Sequence, residues 1–189
     1  MQTKTNFYKN GQIETTYTVD ENGQKNGAYE EYYQDGQLAV KCALKNDKLD
    51  GPYESFYPDG RLEKKCAFKN GELNGAYESY NPLTKRLLEK GTYKSGKKEG
   101  LWEKYRLDGS LLTKCVYKDG KLNGLYEEYN ENGELMEKGA YINGEFVPET
   151  NKKQQGLAAK LAAAQTKTAP AKRSLVAEYR KVYPKNSGR

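Results

Sequence analysis

There is no histidine in this 189-residue chain. The side chain most often used as a general base near neutral pH, and a common zinc ligand, is therefore missing. Tryptophan occurs once, methionine twice and cysteine three times, and apolar residues reach only 35% even with tyrosine counted. With a mean hydropathy of −1.05, so small an apolar supply excludes a thick globular core. No apolar run approaches the length of a membrane helix. The opening Met-Gln-Thr-Lys-Thr-Asn has no apolar stretch, so no secretory signal is expected and a cytoplasmic protein is the default.

What is present points to thinness rather than disorder. Aromatics make up 12% of the chain, 17 of them tyrosine, and disordered chains are poor in aromatics. Charge is placed unevenly. Residues 148–189 hold ten Lys/Arg against two Asp/Glu, a net of +8, which leaves 22 against 24 in residues 1–147. The formal +6 thus belongs to the end of the chain, and the body is nearly neutral.

The body repeats itself. A Gly-x-[Tyr/Trp]-Glu phrase recurs at Gly27, Gly51, Gly75, Gly100 and Gly124, at spacings of 24, 24, 25 and 24. The longer interval contains Asn81 to Arg86 where other units carry Asp-Gly or Asn-Gly. Partial copies flank the five units, so about six fill Phe7 to Val147. Each unit predicts two strands, such as Ala28–Tyr33 and Leu38–Lys45, joined by a tight Asp-Gly turn and followed by a longer one, "NDKLDG". Strands joined only by short turns are antiparallel neighbours. The expectation is a mainly β fold: an open, single-layer antiparallel meander of about a dozen strands, on the order of 55 Å long.

Aligned columns assign the faces. Gly+2 is Tyr29, Tyr53, Tyr77, Trp102 and Tyr126, Gly+3 is always glutamate, and one column of the second strand is always lysine: Lys41, Lys65, Lys90, Lys114 and Lys138. Beside the lysines runs a small column, Cys42, Cys66, Gly91, Cys115 and Gly139, over which neighbouring rings are expected to lie. Two-residue turns would set Glu30 opposite Lys41 and Glu127 opposite Lys138. Pro58, which has no N–H to donate, favours a three-residue turn with a glycine bulge and a shift of one. The sequence leaves that register open.

Little here resembles catalytic chemistry. Cys42 and Cys66 fall two strands apart, roughly 10 Å, beyond the reach of a disulfide, and free thiols suit a reducing compartment. No set of ligands converges with zinc-site spacing. "GTYKSGKK" (Gly91 to Lys98) lacks the Ser/Thr and the following helix of a phosphate loop. The glutamate column, repeated with lysine alongside, is a solvated charge ladder. No enzyme activity, metal or cofactor is expected. The aromatic Gly+2 column, Tyr29, Tyr53, Tyr77, Trp102 and Tyr126, is both the packing of a one-layer sheet and the candidate partner-binding surface.

"YKSGKKEGLWEKYRLDGSLL" and its sister segments resemble the MORN-repeat variant found in YwqK-family antitoxins. The resemblance covers about three-quarters of the chain. It implies an open β ribbon, a bacterial origin and the neutralisation of a toxin by direct contact, as an antitoxin or immunity protein does. It carries no catalytic residues.

Residues 148–189 form a second region. Asn151–Gln165 is rich in helix formers, Pro170 interrupts, and Arg173–Tyr183 sets Leu175, Val176, Tyr179, Val182 and Tyr183 on one helical face, with Arg173, Arg180 and Lys181 on the other. This short amphipathic helix has three readings: it caps the last strand, it docks on a protein partner, or it meets an anionic membrane surface. Nucleic acid is the least favoured partner, because aromatics for stacking are few. Taken together, the residues predict a non-enzymatic protein-binding module, with a scaffold or peripheral membrane adaptor as the alternative and the oligomeric state open.

Overall fold

The computed structural model describes residues 1–149. They form thirteen strands: β1 (Gln2–Phe7), β2 (Ile13–Val19), β3 (Lys25–Tyr32), β4 (Leu38–Lys45), β5 (Lys48–Phe56), β6 (Leu62–Lys69) and β7 (Glu72–Tyr80). The second half continues as β8 (Leu87–Lys94), β9 (Lys97–Tyr105), β10 (Leu111–Lys118), β11 (Lys121–Tyr129), β12 (Leu135–Ile142) and β13 (Glu145–Pro148). All thirteen lie in one sheet in chain order, each antiparallel to the next. This is the expected open meander. No helix occurs among the described residues, and the expected C-terminal helix falls outside them.

The two kinds of turn are the reverse of the sequence expectation. The segment after β4, expected to be the longer, is a two-residue turn: Lys45 pairs with Lys48, and Asn46 and Asp47 both take positive φ, 50° and 63°. The other residues of "NDKLDG" belong to β5. The Asp-Gly connections are the wider ones. Gly36 N–H donates to Tyr33 O at 2.9 Å and Tyr33 N–H to Gln37 O at 2.8 Å, a type I turn closed by a left-handed glycine. Such a loop has no need of an N–H at its second position, which is why Pro58 is tolerated in the equivalent turn after β5.

That turn slips the register by one, and a bulge restores it. Tyr32 pairs with Leu38 but Glu31 with Val40, so Ala39 is the extra residue, and Glu30 meets Lys41 after all. Both features weighed from sequence are therefore present, one after the other. A second bulge explains the repeated glycine. Leu44 pairs with Leu49 but Cys42 with Tyr53, leaving Ala43 opposite Asp50, Gly51 and Pro52. Gly51 sits there at φ +121°, with its missing Cβ directed at the Ala43 methyl. An L side chain is strained in that conformation, so the spacing of 24–25 residues marks the bulges.

Successive units are also tied to one another. Tyr8, Tyr33 and Tyr57 donate their hydroxyls to the carbonyls of Tyr32, Phe56 and Tyr80, at 2.6, 2.7 and 2.7 Å. Arg106 replaces the tyrosine in a later unit and reaches Tyr129 O and Asn130 O. At the other side of the sheet, Asn26, Asp50, Asn74 and Glu99 each accept the N–H of the next unit's turn, from Asn46, Asn70, Ser95 and Asp119. A one-layer sheet lacks an interior to hold it, and these side-chain ties act in place of a second layer.

Candidate protein-binding faces

Strand alternation gives each face its own chemistry. On the first, Tyr29, Cys42, Tyr53, Cys66, Tyr77 and Gly91 run in one row across β3–β8. Trp102, Cys115, Tyr126 and Gly139 continue it on β9–β12. Large and small residues alternate, as the columns predict. A Cβ on Gly91 would lie 2.3 Å from the Trp102 ring, so the indole occupies the space glycine leaves. Around it stand Tyr93 at 5.0 Å, Tyr77 at 5.7 Å and Tyr117 at 6.2 Å between centroids, the Tyr93 and Tyr117 rings edge-on. The Lys98 ammonium caps the indole at 3.7 Å and pairs with Glu89 at 3.1 Å.

Of the five aromatic candidates, Trp102 is 1% exposed and belongs to the packing. Tyr29, Tyr53, Tyr77 and Tyr126 are half-buried, with part of each ring open to a partner. Burial, aided by the Glu31 carboxylate, pushes the Tyr29 phenol up to about 12. Tyr53 and Tyr77 are shifted upward chiefly by burial as well, so these rings present neutral hydroxyls at physiological pH. The remaining candidates, Leu175, Tyr179, Val182, Tyr183, Arg173, Arg180 and Lys181, lie outside the described residues.

The opposite face carries the charge ladder, longer than a hairpin-by-hairpin view implies. Glu30, Lys41, Glu54, Lys65 and Glu78 pair in succession, and the same alternation runs on through Lys90, Glu103, Lys114 and Glu127 to Lys138. Each lysine between two glutamates separates like charges that would otherwise repel across the sheet. Tyr32, Tyr80, Tyr105 and Tyr129 donate to the glutamate two residues earlier at 2.7–2.8 Å, fixing the carboxylates. Lys90 approaches Glu103 to 2.8 Å; their hydrogen bond holds the lysine above and the glutamate below its ordinary range. Glu103 is thus kept ionised, the opposite of what a general acid requires.

The residues that bind unit to unit, Asn26, Asp50, Asn74 and Glu99 with Tyr8, Tyr33, Tyr57 and Arg106, were not singled out from sequence. Their signal was available: the position before each repeat glycine is always Asn, Asp or Glu.

Three segments, 25–46, 49–70 and 122–143, match the model of the MORN repeat variant. Each starts just before a bulge glycine and ends at a two-residue turn, so the matched unit is one hairpin: β3–β4, β5–β6 or β11–β12. The intervening units contain the chain's departures, the Asn81–Arg86 loop and Trp102, yet fold alike. MORN repeats are in general protein- or membrane-binding modules. No curated protein matches the chain.

Proposed function

We propose that this protein is a non-enzymatic cytoplasmic binding module that takes up a protein partner on its aromatic face, and that the partner is a toxin neutralised by direct contact. The observation that carries the reading is the file of Tyr29, Tyr53, Tyr77 and Tyr126, each partly exposed on one face of a one-layer sheet and interrupted at the buried Trp102. Tyrosine offers large contact area with little conformational entropy to lose, and it is enriched where proteins meet. The ties between units hold this file rigid, which lowers the ordering cost of association. Neutralisation of a toxin is supported by the antitoxin resemblance of the repeats.

Two experiments test the two levels. Charge placed in the file, Tyr53→Arg with Tyr126→Arg, should abolish capture of the partner by the full chain with the β-sheet circular dichroism preserved. Unchanged capture removes this face from the interface. At the cellular level, deleting the gene alone should cost viability, and deleting the neighbouring reading frame as well should restore it. A harmless single deletion refutes the neutralising role.

A second reading, a scaffold or peripheral membrane adaptor, draws on the net +8 of residues 148–189. Sedimentation with anionic vesicles that is lost in high salt, and lost when 150–189 are removed, would favour it.

A further inference from the structure

The charged face holds a row of apolar residues whose side chains become large only in the C-terminal half of the sheet. On that face, next to the glutamates of the ladder, the first three units place Ala28, Pro52 and Ala76, whereas the last two place Leu101 and Leu125. Leu101 pairs with Val116, Leu125 with Ala140, and Ala140 with Val147. Val116 faces the Asn123–Leu125 bulge, so five apolar residues run unbroken across β9–β13. Leu101 is 47% and Leu125 38% exposed, while Ala140 between Leu125 and Val147 is only 1% exposed and forms a floor. At its inner end the strip opens into a shallow pocket of about 180 Å³, walled by Ala76, Thr92 and Leu101 with Glu78, Lys90 and Glu103 along its rim.

We propose that this strip is the docking site of the chain's own segment 173–183, which folds back as a helix across β9–β13. Two arguments select this occupant. The first is position: the chain leaves the sheet at β13, where Val147 is the last residue of the strip and Glu149 N–H is bound to Lys138 O. The 23 residues from 150 to 172 can span far more than the roughly 20 Å required, at about 3.3 Å each. The second is size. Eleven helical residues measure about 16 Å, and five strands at about 4.8 Å spacing set the strip at about 19 Å. The docked helix covers the charged face at the end of the array, where repeat sheets need a cap, and leaves the aromatic face free.

Limited trypsin digestion of the full chain, followed by mass spectrometry, tests this. Cleavage at Arg173, Arg180 and Lys181 should be at least about tenfold slower than at Lys167 in the connecting segment, since cutting follows the population of the undocked state. Leu125→Asp should remove that protection, whereas Ala28→Asp, on the same face but off the strip, should keep it. Val182→Asp, which lies beyond the sheet, should remove it too and so distinguishes undocking from an unfolded sheet. Equal cleavage at all these sites in the unaltered chain overturns the proposal. Protection that grows with protein concentration also overturns it, by making the occupant a second copy.

Discussion

At the residue scale, the fold depends on where side chains are withheld. Gly91 and Trp102 form the clearest case: the indole takes the volume a Cβ would need, 2.3 Å from its ring atoms. Gly91→Ala must push the ring aside or displace the strand, and it should cost about 1–3 kcal/mol, the usual range for overpacking. Urea unfolding followed by Trp102 emission measures it. The small-beside-aromatic column was legible because it recurs. That Trp102 alone would be sealed was not, since sealing needs Tyr77, Tyr93, Tyr117 and Lys98 together. Titration is also a residue-scale property. Burial raises Cys42 from 9.0 to about 11, and burial followed by the Glu78 hydrogen bond raises Tyr80 from 10.0 to about 12. The folded chain then keeps protons that the unfolded chain has released. Stability from these groups is fully present below about pH 9 and lost as pH rises toward 12. Denaturant midpoints should be level from pH 7 to pH 8.5 and fall steadily above pH 9, roughly speaking; midpoints that rise there would contradict the burial of these groups.

At the element scale, hairpins, their order and their antiparallel sense could be read from alternation and turn residues, because both are local. The turn types could not. Asp-Gly is compatible with a two-residue turn and with a type I turn closed by glycine, and the choice depends on a bulge at Ala39 that no short motif announces. Asn46-Asp47 lacks glycine altogether, yet both residues adopt positive φ because Asn and Asp tolerate it. The Asn81–Arg86 loop is the natural place to test the ties between units. Here asparagine stands where Tyr8, Tyr33 and Tyr57 reach the next unit's carbonyl. Replacing residues 81–86 with Tyr-Pro-Asp-Gly-Arg, the turn of the preceding unit, supplies a phenol aimed at Tyr105 O. It should stabilise the chain by about 0.5–1.5 kcal/mol, the net value of one such hydrogen bond, read as a higher melting temperature. The ladder predicts the opposite sign. Lys90→Glu would set three carboxylates, at 78, 90 and 103, side by side, with a loss larger than the ~0–1 kcal/mol of an exposed pair and reduced by salt.

At the scale of the whole molecule, each hairpin touches chiefly its two neighbours, so the architecture is close to one-dimensional. Removing residues 48–71, one complete unit, joins Asp47 to Glu72 and rebuilds an equivalent two-residue turn. The shortened chain should remain folded with a lower melting temperature, whereas a globular domain losing that much would collapse into a disordered state. Thinness itself was evident from composition, because so few apolar residues among so many tyrosines cannot fill an interior. The central claim, a ribbon one layer deep that presents two chemically distinct faces, is tested most directly by small-angle X-ray scattering of the full chain. Twelve steps of about 4.8 Å give a sheet close to 58 Å long, so the largest dimension should be at least about 60 Å and the pair-distance curve skewed. A symmetric curve with a radius of gyration near 16 Å, the value for a compact chain of this length, would contradict it.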